Sequence, residues 1–407
     1  MAELERYQDD HRAAFAFEMA RGGRVHPLDE NELKHFRKEK DGVFGLFQWD
    51  TPTLSEELPF TFTSPPGPAA VEKALKSDIG GENYFRFAPS RGSPDDDAAA
   101  ITRLLDNIGN ARYSEPGAVV HMQSPTFNRA RRWIPGWEGD GMLSQSDFQI
   151  IIAPAGEVFE LEYYDHHFST TLLTGSKVWL TFPPLQTNLD VLRKAYEGMH
   201  SANTSRVSLG ILAEMQHGIF VIQKPGQTLL FPPYWSLMTF CTEASTSCGF
   251  FLATAAQYMS RIKNMDLWLT VNLFWDTAQL QQSYLVKYAT ELASHFSIIM
   301  GGDLKRFKVG PVQNQICTEW VKIAPKKTAE FENMKEKIGR LLSLIKNNDE
   351  REKIDDLFRD AWIEFLQSKR KKRPECRLCH TRIEHMPVGE TPDERLARHI
   401  TDVHCNF

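Results

Sequence analysis

The stretch 159–188, FELEYYDHHFSTTLLTGSKVWLTFPPLQTN, constrains the fold more than any other part of the chain. Its second half reads as a strand over residues 173–182. Val178, Leu180 and Phe182 alternate onto one face, and Lys177 and Trp179 onto the other. Pro183-Pro184 stops the strand, because proline has no N–H to give to a ladder. A partner segment runs from Gly218 to Leu237. There, two short apolar strands flank the Pro225-Gly226 turn and Pro232-Pro233 makes a second break. A third strand follows over 238–241, and residues 188–200 read as a helix inserted between strands.

Three motifs recur in a definite order: Gly175-Ser176-Lys177-Val178-Trp179, then Phe182-Pro183-Pro184 with Asn188-Leu189, then Lys224-Pro225-Gly226 with Phe231-Pro232-Pro233. Together they resemble the JmjC domain, a double-stranded β-helix of the cupin type, in the divergent form found in fungi. The resemblance covers residues 119–258. It implies a ferrous ion held by two histidines and one carboxylate, with three positions open for 2-oxoglutarate and oxygen. Carried onto this sequence, the ligand positions fall on Glu160, Glu162 and Leu237. Glu162 is an acceptable carboxylate, Glu160 is not a histidine, and Leu237 cannot coordinate a metal. Lys177 matches the position where many JmjC enzymes bind the distal carboxylate of 2-oxoglutarate. Two carboxylates without an imidazole make a poor ferrous site, and their repulsion favours protonating one of them. His166 and His167 are the substitute ligands that a small register shift would bring to the barrel mouth; the plainer reading makes them solvated residues at a strand edge.

The remaining chain frames this segment. Its 407 residues suffice for two or three domains, and a net charge of −6 gives no whole-protein drive toward nucleic acid. No apolar run approaches the length of a membrane span, and the charged N-terminus lacks the apolar core of a signal peptide. Residues 5–20 and 29–40 read as helices, and 50–68 as an irregular connection. Ser93-Pro94 followed by Asp95, Asp96 and Asp97 reads as a capped helix start leading into Ile101, Leu104, Leu105 and Ile108. Residues 113–122 and 146–153 read as strands entering the barrel. Between them Arg129, Arg131, Arg132, Trp133 and Trp137 form a basic-aromatic loop. It suits stacking on a nucleic acid or a peptide, but is more simply a cover over the barrel rim. From residue 257 the periodicity becomes helical. The stripe Leu280, Tyr284, Leu285, Tyr288, Leu292 and Phe296 is followed by Phe331, Met334, Ile338, Leu341, Leu342 and Ile345, then by Phe358, Trp362, Phe365 and Leu366. Such stripes imply helices packed on the barrel, with a homodimer as a further option.

The tail carries the clearest site. Of six cysteines in the chain, Cys376, Cys379 and Cys405 crowd its end, a usage that reads as intracellular metal binding rather than a disulfide framework. Cys376, Cys379, His399 and His404 form C-x2-C-x19-H-x4-H, which resembles a Cys2His2 zinc finger with a lengthened spacer. Leu396 falls where such a finger keeps a core leucine, and His380, His385 and Cys405 are spare ligands. So short a segment needs the metal to fold. Just before it, Lys369, Arg370, Lys371, Lys372 and Arg373 form a run suited to nuclear import or phosphate contact.

These readings give an α+β protein divided at 1–118 (helical and irregular, packing on the barrel), 119–258 (JmjC-like barrel), 259–368 (helical) and 369–407 (basic run and finger). The expected function is that of a nuclear, chromatin-associated scaffold: a JmjC-type pseudoenzyme holding structural zinc, with no membrane association. Its iron and 2-oxoglutarate sites are degenerate, and histone tails, chromatin proteins or nucleic acid are the partner classes. The alternatives are an active Fe(II)/2-oxoglutarate dioxygenase (a histone or protein demethylase or hydroxylase) with rearranged ligands, and a zinc-finger DNA-binding regulator.

Overall fold

Among the described residues, twelve strands and the helices that accompany them follow from the alternating, proline-punctuated first half of the chain and the helical-period second half. The computed structural model describes residues 25–27, 52–55, 58–62, 66–80, 101–114, 119–132, 141–202, 213–273, 278–304, 307–322, 332–368, 375–383 and 389–407. The readings at 5–20, 29–40 and 93–97, Trp133, Trp137, Phe331, His385 and the run Lys369–Arg373 lie outside the described residues.

The strands are β1 (Val25–Pro27), β2 (Thr53–Ser55), β3 (Val120–Gln123), β4 (Met142–Gln145), β5 (Gln149–Ala153), β6 (Val158–Tyr163), β7 (His167–Thr174), β8 (Lys177–Phe182), β9 (Gly218–Gln223), β10 (Thr228–Phe231), β11 (Ser236–Cys241) and β12 (Ser245–Thr254). They form two sheets, ordered β1-β9-β8-β11-β6 and β2-β10-β7-β12-β5-β3, with β4 beside β12. Every pairing specified by register is antiparallel except β1 with β9. From β5 to β12 the chain keeps switching sheets: β5, β7, β10 and β12 lie in one, and β6, β8, β9 and β11 in the other. Phe168, Leu229 and Phe231 from one sheet and Trp179, Val221 and Leu237 from the other share a single buried cluster. The two sheets therefore bury a common core, as strands that are apolar on the inward face require.

Residues 173–182 are not a single strand, because Gly175 breaks them into β7 and β8 with φ at +79°. A Cβ at Gly175 would lie 2.2 Å from the Ala244 carbonyl oxygen, so the tight turn requires glycine both for conformation and for space. Of the strand expected over 113–122, residues 113, 114 and 119 are not strand, 115–118 lie outside the described residues, and β3 covers Val120–Gln123.

The helices are α1 (Pro68–Gly80), α2 (Pro125–Arg129), α3 (Gln186–Ala202), α4 (Tyr258–Lys263), α5 (Met265–Asn272), α6 (Ala278–Gly301), α7 (Val309–Trp320), α8 (Met334–Ser343), α9 (Asn348–Ser368) and α10 (Pro392–His404). Residues 101–106 are also helical, with Ile101, Leu104, Leu105 and Ile108 buried as expected. The chain separates into two compact units. One contains residues 1–137 and 144–253, the other 138–143 and 254–407.

The second unit has one large core. Leu285, Tyr288, Leu292 and Phe296 of α6 meet Ile338, Leu341 and Leu342 of α8, Phe358 and Trp362 of α9, and Trp320 of α7. Leu280 drops off the expected stripe and is 47% exposed. Helix α7 was missed because its apolar residues are few and a Gly-Pro pair opens it. Arg261 is buried there, and its cost is offset by pairing. Its Nη1 donates to Glu291 Oε1 at 3.0 Å, and its guanidinium lies over the Tyr288 ring.

Candidate metal centre and sheet interior

The tail folds its four metal-ligand candidates together from two local devices. The first is a knuckle at 375–382, closed by a Glu375–Arg382 bridge. The Cys376 N–H donates to the Thr381 carbonyl at 2.9 Å, and the His380 N–H to the Cys376 carbonyl at 2.7 Å. The second is α10. Thr391 caps it in a reciprocal box with Glu394, and Pro392 sits in its first turn, where a missing N–H costs nothing. His399 and His404 are five residues apart, which an ideal helix would place on different sides. The helix closes on a wide turn, with the Cys405 N–H donating to the Ile400 carbonyl five residues back, and the His399 and His404 ring centroids lie 5.3 Å apart.

The result is a compact cluster of four donor atoms. The four ligand atoms of Cys376, Cys379, His399 and His404 all lie within 4.8 Å of one another. Cys376 Sγ is 3.5 Å from His404 Nε2, and Cys379 Sγ is 3.3 Å from His399 Nε2. Zinc bonds of about 2.3 Å to sulfur and about 2.0 Å to nitrogen predict a tetrahedral S···N edge of about 3.5 Å. The donor set therefore fits a closed, structural zinc site. Burial, then the neighbouring His399 and Lys335, holds the His404 imidazole down to about 4, so it is neutral and able to ligate at neutral pH. Burial pushes the Cys376 thiol up to about 11, so metal capture must expel its proton. Of the spare candidates, Cys405 is buried as the helix cap, and His380 is exposed with its ring beside Glu375. Arg398, on the outer face of α10, pairs with Glu390 at 2.5 Å.

The sheet interior holds the other predicted residues. Strand pairing brings Leu237 opposite Glu162 on one side and Thr181 on the other. Glu160 lies on β6 two residues before Glu162, and its side chain is outside the described set. Lys177 is 2% exposed, opposite Cys241, and its Nζ donates to Ser247 Oγ at 2.8 Å and lies 5.4 Å from the Phe159 ring centroid. Its neighbour on the same face, Trp179, donates its indole N–H to Gln223 Oε1 at 2.9 Å, and Gln223 in turn bonds the Thr170 and Gln227 carbonyls. Burial lowers the Lys177 pKa, opposed by the Cys241 and Glu162 charges.

Burial raises the Glu162 pKa to about 7, against the pull of a Tyr164 hydrogen bond and the Lys177 charge. His166 and His167 do not complete this site. His166 Nδ1 is 2.7 Å from Asp165 Oδ1, while His167 begins β7 in the opposite sheet, paired with Leu252. Burial, then His166, holds His167 down to about 3. Among the described residues, the tail cluster is the one group of three or more Cys, His, Asp or Glu side chains close enough to share an ion.

Arg131, from the basic-aromatic loop, is tied down: its Nη2 reaches Asn128, the Ser146 carbonyl and Asp147, and its guanidinium lies over Phe148. That favours a structural role for the arginine. Two contributors to the sites escaped sequence reasoning. Ser247, which accepts from Lys177, lies in a strand with no local signal. Tyr164, which bonds Glu162, was available as the next residue but one.

A test of Glu162 follows from its titration. The raised pKa means the folded protein keeps a proton that the unfolded chain releases near pH 4.3. The associated stability is therefore present below about pH 4 and lost as pH climbs through about 7. Glu162→Gln removes that loss. It is expected to stabilise the protein by up to about 4 kcal/mol at pH 8 and by only about 1 kcal/mol at pH 5, as read from urea midpoints. Equal effects at both pH values would mean that the carboxyl is ionised throughout.

No known family model matches the chain, and no curated protein matches it.

Proposed function

We propose that the protein is a JmjC-type barrel that has given up iron chemistry and serves as a nuclear, chromatin-associated binding scaffold with a structural zinc centre. The alternation of β5 to β12 between two sheets, in the orders β10-β7-β12-β5 and β9-β8-β11-β6, supports a double-stranded β-helix. One observation carries the loss of catalysis: Leu237 stands opposite Glu162 where the family places an imidazole. An aliphatic side chain cannot replace that ligand, and a carboxyl pushed up to about 7 is a weak one. Lys177, buried and held by Ser247, places an amino group inside the sheets where a dicarboxylate would find a donor. Zinc would sit on Cys376, Cys379, His399 and His404, where it supplies folding energy and no reactive position. The neighbouring basic run at 369–373 suits phosphate contact or nuclear import, and histone tails or other chromatin proteins are the partner class for the barrel.

The test is elemental analysis of anaerobically purified protein loaded with ferrous iron and 2-oxoglutarate. One zinc, no iron and no conversion of 2-oxoglutarate is the expected result. Stoichiometric iron with turnover would return the protein to the dioxygenases. In the same preparation, Lys177→Ala is expected to abolish any 2-oxoglutarate binding measured by calorimetry, whereas undiminished binding would remove the dicarboxylate from the proposal.

A further inference from the structure

The metal centre is not a separate bead at the end of the chain. Cys376, Leu378, Ile400 and Cys405 belong to the same buried cluster as Trp320, Phe358 and Trp362 of the helical unit. The indole N–H of Trp320 donates to the main-chain carbonyl of the ligand His404 at 3.2 Å. Lys335 Nζ donates to the Val403 carbonyl at 2.9 Å. The ring of Phe407 lies 5.8 Å from Trp320 and 6.3 Å from Phe358, and it also covers Gly339 of α8. Helix α10 is thus held from α7, α8 and α9, through contacts on both sides of its ligand histidine.

We infer that the Cys2His2 centre is a lock on the whole helical unit: metal binding there and the packing of α7, α8 and α9 are one cooperative event. The inference rests on the metal reading above. It goes further in assigning Trp320 and Phe407, neither of which touches the metal, as positioning residues for it. A detachable finger would gain and lose metal without consequence for helices it does not contain. Here the ligand His404 can take up its tetrahedral place only while its carbonyl is held by Trp320, and coupling of this kind is reciprocal. If metal tightens α7 and α9, loosening their contact with α10 must weaken the metal.

Two measurements on the full-length protein test this. In the first, hydrogen exchange is compared with zinc bound and after zinc is stripped by a chelator. Amides of α7 and of the C-terminal half of α9 are expected to exchange at least about tenfold faster without metal, along with those of 375–407. In the second, zinc is titrated in competition with a chromophoric chelator. Trp320→Phe keeps a ring in the core but removes one hydrogen bond to a carbonyl, so zinc should bind about two- to tenfold more weakly. Phe407→Ala, a change at a partly exposed side chain, should weaken it by about tenfold through lost ring contacts. Faster exchange confined to 375–407, or unchanged zinc affinity in both variants, would overturn the lock while leaving the metal site standing. A wild-type protein that takes up no zinc would overturn both.

Discussion

Cys376→Ala should abolish stoichiometric zinc and cost the helical unit about 5 kcal/mol or more, the largest effect expected of any single substitution in this protein. The loss has two parts. Three ligands no longer close a structural site, so the metal's contribution to folding falls away. The residue itself is fully buried, in the same core cluster as Trp320, Trp362 and Ile400, so alanine also leaves a gap where the sulfur packed. Thermal unfolding followed by tryptophan fluorescence, with zinc measured in the same sample, checks both. Chelator treatment of wild type should reproduce most of the shift and leave Cys376→Ala unchanged. A variant that lost zinc but kept the wild-type midpoint would mean that the metal is ornamental to this unit.

Gly175→Ala acts on the other unit and should be nearly as damaging, by about 2–5 kcal/mol. Its φ of +79° alone penalises any L side chain. Space makes it worse: the new methyl would meet the Ala244 carbonyl oxygen at 2.2 Å and the Ser245 Cα at 2.8 Å, both main-chain atoms that cannot swing aside. The turn also sets the register of β8, and hence the seat of Lys177 opposite Cys241 and within reach of Ser247. A urea midpoint close to wild type would show that the turn relaxes freely, contrary to this geometry.

The sites were legible to different degrees for physical reasons. The four candidate metal ligands could be read because their chemistry is unusual, their spacing short and their supports local: a knuckle, a capping box and one helix. The aromatic positions Phe358, Trp362 and Phe296 could be read because a helix reports its buried side at a fixed period. The sheet interior was harder. Leu237 and Glu162 stand seventy-five positions apart in the chain and meet only through strand pairing. Ser247, which holds Lys177, comes from the opposite sheet. The break at Gly175 was present in the sequence, yet no proline marked it, so the strand reading ran straight through from Leu173 to Phe182.

By itself, then, the sequence determined the alternating strands and their proline and glycine corners, the helical periodicity of the second half, and a tetrahedral set of soft ligands at the end. These depend on backbone chemistry and on neighbours a few residues away. Tertiary structure alone decided which sheet each strand joins, that an aliphatic residue faces Glu162, and that the Cys/His cluster is seated against the helical core through Trp320 rather than standing apart. Those outcomes turn on contacts between distant segments. Burial chooses among such contacts by the shape and polarity of whole faces, which no short window of residues specifies.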